Sequence, residues 1–165
     1  MLIREIKTDD AENLINLIKE VEAKSNFMLM EPGERKTTPE QQRKHIEDLG
    51  HQDNSTIFVA EQSGNLVGYL ITIGGRAKRV KHSAYIVVGI SEKNRGQGIG
   101  TALFQRVEKW AENHHISRLE LTAVTKNEAG VALYKKSGFE IEGTKRKSLM
   151  IDGIFYDEYY MSKLL

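Results

Sequence analysis

The chain has 165 residues, 39% hydrophobic and 28% charged, the balance expected of one globular domain spanning 1–165 and long enough to bury a core. A net charge of +1 gives no electrostatic drive toward nucleic acid or an anionic membrane, and the lack of cysteine excludes disulfides, thiolate metal sites and a cysteine nucleophile. No apolar run reaches the ~20 residues of a membrane span, and Met1–Lys7 lacks a signal-peptide core, so a cytoplasmic location is expected.

Leu2–Ile6 predicts a short first strand, and Thr8 or Asp9 can cap the helix after it. Ala11, Leu14, Ile15, Leu17, Ile18 and Val21 recur at helical spacing to about Glu22. Residues 24–37 read as irregular, with apolar Phe27–Met30 broken by Glu31-Pro32-Gly33-Glu34. Thr38-Pro39-Glu40-Gln41 combines an N-cap threonine, a proline at the first helical position and a capping-box glutamine, predicting a helix to about Gly50. Thr56–Ala60 and Leu66–Ile73 read as strands joined through Ser63-Gly64-Asn65 in an antiparallel hairpin. Gly74–Lys81 is a basic loop, read as a solvated turn, with contact to phosphate or an acidic substrate as the alternative. A buried strand is expected at 83–90, then a glycine-rich turn and an amphipathic helix to about Asn113. Leu119–Val124 predicts a strand. Asn127 precedes a helix carrying Val131, Ala132, Leu133 and Tyr134, which Gly138 should close in a left-handed cap. Two short strands are expected at 139–141 and 147–150. Ile151-Asp152-Gly153 then predicts a hairpin turn into a last strand from about Phe155 to Met161.

The turn Arg95-Gly96-Gln97-Gly98-Ile99-Gly100 joins that buried strand to that helix. Such a turn leaves backbone N–H groups bare at a positive helix end, a site for phosphate. A Walker loop needs a Lys-Ser/Thr pair after the last glycine, and Thr101-Ala102 stands there instead. A dinucleotide fingerprint needs Gly-x-Gly-x-x-Gly on the first strand, whereas these glycines are wrongly spaced and lie past mid-chain. The remaining pattern is Arg/Gln-x-x-Gly-x-Gly/Ala after a strand, matched by Arg95, Gly98 and Gly100.

Four features together resemble the GCN5-related N-acetyltransferases, the GNAT family, of the bacterial L-amino acid or ribosomal-protein type. They are the strand Val87-Val88-Gly89-Ile90, the glycine turn, Asn127 with Leu133-Tyr134-Lys135-Lys136-Ser137-Gly138-Phe139, and the tail Glu140–Thr144 with Asp152-Gly153 and Tyr156–Met161. The resemblance covers roughly residues 56–163 well and the first 50 only by element order. It implies an α/β GNAT fold: a mixed, mostly antiparallel sheet with splayed central strands and flanking helices. It also implies acetyl-CoA as co-substrate, with no metal. Arg95, Gly96, Gln97, Gly98, Ile99, Gly100 and Thr101 would meet the pyrophosphate; Val88, Gly89 and Ile90 would meet the pantetheine arm. Asn127 and Tyr134 would approach from the other side.

The family attacks the thioester directly with a neutral amine, so a base or water chain must first take a proton. Tyr134 occupies the general-acid position. Many relatives place a glutamate early in the fourth strand, where this chain has Tyr85. Glu31 is then the leading base candidate, followed by Glu34 and His82. The family alanine three residues after the motif's asparagine is Gly130. The expected activity is acetyl transfer to a primary amine of a small molecule, with an amino acid among the candidates. The alternatives are a ribosomal-protein N-terminus as acceptor, or a non-catalytic acetyl-CoA sensor. Segment 24–37, the basic loop and the final hairpin should line the acceptor side. A homodimer through the terminal region is a further expectation.

Overall fold

A computed structural model describes all 165 residues, Met1 to Leu165. Strand β1 (Leu2–Glu5) leads through a 3-10 turn into α1 (Ala11–Lys24), and α2 (Pro39–Gly50) follows the irregular segment. Then come β2 (Thr56–Gln62), β3 (Asn65–Gly74), β4 (Ser83–Ile90), α3 (Ile99–Glu112), β5 (Arg118–Val124), α4 (Glu128–Lys136), β6 (Glu140–Ile151) and β7 (Ile154–Leu164). The strands form one sheet in the order β1-β2-β3-β4-β5-β7-β6. Every neighbouring pair is antiparallel except β4–β5. This is the mixed, mostly antiparallel sheet with flanking helices that the resemblance implied.

Side-chain alternation divides the core between two faces. Ile57, Val59 and Tyr69 turn toward α1 and α2, where they pack with Leu14, Ile18, Val21, Ile46 and Leu49. Phe58, Leu70, Ala84, Ile86, Leu119 and Leu121 turn the other way and pack with Leu103, Phe104, Val107 and Trp110 of α3. Burial on both faces is why β2, β3 and β4 read as nearly continuous apolar runs.

The parallel pairing of β4 with β5 lasts only from Ser83–Arg118 to Tyr85–Glu120. Beyond it the two strands part. Ile86–Ile90 keep their partners on β3, Thr72 back to Gly68, while Leu121–Val124 pair with Met161 to Glu158 of β7. One edge of the C-terminal half of β4 therefore has no strand beside it, and its main-chain groups are left for another partner.

Thr38 Oγ1 accepts from the Gln41 N–H and the Gln41 side chain answers at the Thr38 N–H, so α2 begins where its capping box predicts. Two hairpin turns run through left-handed pairs, Ser63 (φ 49°) with Gly64 (φ 79°) and Asp152 (φ 51°) with Gly153 (φ 77°). These match the primed turns that suit twisted hairpins. Neither Thr8 nor Asp9 caps α1. Asp10 stands at that position, and its carboxylate is taken by the Lys7 N–H and by both ends of the Arg4 guanidinium. The two short strands expected near 139–150 are one strand, β6, interrupted between Ile141 and Gly143 and between Lys145 and Leu149. Unbroken β7 supplies the template, and Lys147 at φ 48° absorbs the second irregularity.

Candidate active site

After β4 the chain makes a 3-10 turn at Glu92–Asn94 and reaches Gly96 (φ 74°) and Gly98 (φ 82°), the latter the N-cap of α3. The first bond into the helix runs from the Ala102 N–H to the Gly98 carbonyl, 3.0 Å. The N–H groups of Gly96, Gln97 and Gly98 find no main-chain acceptor. Those of Ile99, Gly100 and Thr101 belong to the first turn, where a helix offers them none. A Cβ on Gly96 or Gly98 would meet nothing within 4 Å. The backbone angle, not crowding, requires glycine there, and the space beside the turn is open. At Gly100 the reason is different: a Cβ would fall 2.7 Å from Leu133 Cδ2 and 3.2 Å from Ile90 Cδ1. The end of β4, the start of α3 and the side of α4 thus meet at one point. Arg95 is exposed beside it.

Across this junction, Asn127 caps α4, its Oδ1 accepting from the Gly130 N–H at 3.1 Å. Its amide nitrogen remains uncommitted. A Cβ at residue 130 would lie 2.5 Å from that nitrogen, so glycine here lets the carboxamide fold back onto the helix. Tyr134 stands edge-on to Phe104, centroids 5.9 Å apart, and near Phe139 at 6.4 Å. Burial pushes its phenol up to about 12, and neighbouring Tyr85 adds to the shift. A group so shifted stays protonated through the whole neutral range and is a donor. The Tyr85 hydroxyl meets Thr122 Oγ1 at 2.9 Å. That contact bridges β4 and β5 just past their last pair, Tyr85–Glu120. At the position where the resemblance implies a carboxylate, this chain carries a clasp at the base of the split.

Glu31 and Glu34 lie exposed in a turn closed on itself. The Glu34 carboxylate accepts from the Glu31 N–H at 3.2 Å, and the Glu34 N–H donates to the Glu31 carbonyl at 3.1 Å. No hydrogen bond or ion pair draws either acid toward β4 or Tyr134. The buried carboxylate of this region is Glu22, 3% exposed. Arg35 Nε donates to both of its oxygens at 3.0 Å and Nη2 to one at 2.8 Å. The hydrogen bond to Glu22 raises Arg35 above the ordinary guanidinium value despite its partial burial. Glu22 was visible in the sequence as an acid four residues after Ile18, on the apolar stripe. Its partner Arg35 left no local signal. Tyr69, 1% exposed, was also missed, because it reads as an ordinary strand aromatic.

Phe27 packs edge-on against Tyr156, 6.2 Å between centroids, joining the 25–38 segment to the start of β7. A cavity of about 430 Å³ lies there, lined by Phe27, Thr125, Lys126 and Ile154–Asp157. His82 is exposed and shares a second cavity of about 430 Å³ with Tyr85, Arg118 and Glu120. The basic loop is kept from the glycine turn by the whole of β4, eight residues or roughly 26 Å. The structure therefore does not bring the two together around one phosphate.

The model of the Acetyltransferase (GNAT) family matches residues 19–139. The L-amino acid N-acetyltransferase AaaT of Escherichia coli (strain K12) is 32% identical over 108 residues, 65% of this chain and 67% of that protein. A GNAT-family acetyltransferase structure from Streptococcus pneumoniae superposes with a TM-score of 0.96 at 30% identity, covering 99% of both chains. The ribosomal-protein-alanine N-acetyltransferase from Brucella melitensis does so with a TM-score of 0.88 at 25% identity over 100% of each. With its split β4–β5 pair and its bare glycine turn, the chain belongs to the GNAT family and is an acetyl-CoA-dependent N-acetyltransferase.

Proposed function

We propose that the chain acetylates the primary amine of a small molecule, an amino acid first among them, with Tyr134 as the proton donor to the leaving sulfur. The observation that carries this reading is the split between β4 and β5. It opens on the bare N–H groups of residues 96–98 at one end and has half-buried Tyr134 on α4 beside it. These parts fit the co-substrate: six N–H groups from Gly96 to Thr101 for the pyrophosphate, with Arg95 adjacent. The unpaired edge at Val88, Gly89 and Ile90 suits an amide-bearing pantetheine arm, and the free amide nitrogen of Asn127 is a further donor. When bound, acetyl-CoA supplies an activated acetyl thioester.

A small acceptor is favoured by the Phe27–Tyr156 contact, which ties the 25–38 segment to the β6–β7 hairpin and narrows the approach on that side. The E. coli relative named for L-amino acids points the same way. Neither Glu31 nor Glu34 is held at the split, so proton removal from the amine is assigned to solvent entering from the acceptor side.

The test is thiol release from acetyl-CoA with free amino acids, simple amines and peptides bearing N-terminal alanine. Turnover with amino acids supports the reading. Turnover with peptides alone moves the acceptor to a protein N-terminus, and tight acetyl-CoA binding without turnover leaves a sensor. For Tyr134→Phe we expect kcat to fall about 100-fold or more, the scale of general acid catalysis, with acetyl-CoA affinity little changed. An unchanged kcat removes Tyr134 as the donor. A phenol at about 12 loses its proton only as pH rises toward that value. The acid therefore remains available at all lower pH, and any decline in rate near pH 9 has another origin.

A further inference from the structure

Tyr69 is the largest of the fully buried side chains, yet its hydroxyl has no hydrogen-bond partner. Two other buried hydroxyls without partners, Thr72 Oγ1 and Ser137 Oγ, are sealed from solvent, and the Tyr69 oxygen is not among the sealed atoms. A buried phenol that forgoes a partner carries a desolvation cost. Because the Tyr69 oxygen is not sealed, a group from outside the protein can complete it.

The position of the ring identifies that group. A Cβ on Gly89 would fall 2.5 Å from both Cζ and Oη of Tyr69. Residue 89 is glycine because the phenol head lies across its Cα. Gly89 pairs with Tyr69 in the β3–β4 ladder, and it belongs to the stretch of β4 left without a β5 neighbour. The Tyr69 oxygen thus stands against the main chain that borders the split. Glu22, Arg35 and Tyr134 are near enough for their charges to act on it. Burial raises its pKa, keeping the O–H a neutral donor.

We infer that the Tyr69 hydroxyl is a ligand contact, donating a hydrogen bond to the carbonyl oxygen of an acetyl thioester lying along β4 at Gly89. The inference rests on the reading of the split as the acetyl-CoA cleft. A fixed donor at that oxygen strengthens as negative charge grows there during attack, which favours the reaction over the resting thioester. Tyr69 and Tyr134 then divide the work, one at the carbonyl oxygen and the other at the departing sulfur.

Tyr69→Phe removes only the oxygen. Calorimetric titration of wild type and variant with acetyl-CoA and with CoA separates an acetyl contact from general binding. The variant should lose about three- to tenfold in acetyl-CoA affinity relative to CoA, the span of one hydrogen bond, while CoA itself binds as before. In infrared difference spectra with carbonyl-13C acetyl-CoA, the carbonyl band should lie lower in the wild type than in the variant. Gly89→Ala, which displaces the ring but keeps the hydroxyl, should reproduce the loss. An unchanged acetyl-CoA to CoA ratio and an unmoved carbonyl band in folded Tyr69→Phe overturn the proposal. So does an effect confined to the KM of the amine, which would make the hydroxyl an acceptor contact. If wild type binds neither acetyl-CoA nor CoA, the reading of the cleft itself fails.

Discussion

The two sides of the β4–β5 split are built by different means. On the donor side the features come from the main chain and from short stretches of sequence. These are a left-handed Gly98 before α3, a side-chain cap at Asn127 and a glycine where Leu133 needs room. On the side proposed for the acceptor the features are pairs of side chains from distant places: Glu22 with Arg35, 13 residues apart, and Phe27 with Tyr156 from the last strand. Backbone geometry suits a ligand part that is always the same, a pyrophosphate. Long-range side-chain pairs suit a part that differs between relatives, because side chains can be exchanged as pairs while the main-chain ladder of the sheet is kept.

The largest effect should come from breaking the donor side at its backbone. Gly98→Val forces a β-branched residue to φ 82°, a conformation that costs about 1–3 kcal/mol, or else unwinds the turn that aims the N–H groups. We expect acetyl-CoA affinity to fall by about 30-fold or more, because both the N–H array and the helix-end field are misplaced. Affinity for S-acetylpantetheine, which lacks the pyrophosphate, should change little. Titration with both ligands checks this. Equal losses would mean that the turn supports the fold rather than the phosphates.

Next in size is the buried ion pair. Arg35→Gln strands the Glu22 carboxylate at 3% exposure. Removing one partner of a buried pair costs about 3–5 kcal/mol, and the smaller end applies because Arg35 is 26% exposed. Thermal melts should show this loss, and Glu22→Gln with Arg35→Gln should recover part of it. The acceptor KM should rise because Arg35 anchors the 25–38 segment to α1. Acetyl-CoA affinity should stay within about twofold, as sites without shared partners behave nearly independently. A matching loss of acetyl-CoA affinity would break the division into two sides.

This division also explains what the sequence disclosed. The capping box at Thr38, both primed hairpin turns and the glycine turn depend on residues within a few positions of one another, and all were legible. The expected cap at Thr8 or Asp9 fails because Asp10 takes the N-cap position and its carboxylate is held by Arg4 on the preceding strand. The continuity of β6 could not be seen because β7 imposes it across two irregularities. Glu22 does not stand among the base candidates Glu31, Glu34 and His82, because its place on the apolar stripe gains meaning only once Arg35 is set beside it. Tyr69 left no mark of its own. Its significance depends on Gly89, 20 positions along and across a strand pair.

The smallest effect, and the cleanest, belongs to the Phe27–Tyr156 contact. The rings meet edge-on at 72°, a geometry worth about 0.5–1.5 kcal/mol beyond the area buried. Phe27 is only partly buried and lies outside the regular elements, so Phe27→Ala leaves the cavity between segment and hairpin wider without opening the core. If that cavity receives the acceptor, its KM should rise about three- to tenfold, the kinetic equivalent of that energy, with kcat nearly constant. Tyr156→Ala should give a similar rise. The double variant should show less than the product of the two, because each single change already removes the same contact. Glycinamide offers a control, since an amine too small to reach the segment should lose nothing. A uniform rise across all amines would mean that the contact orders the whole acceptor side rather than setting the size of what it admits.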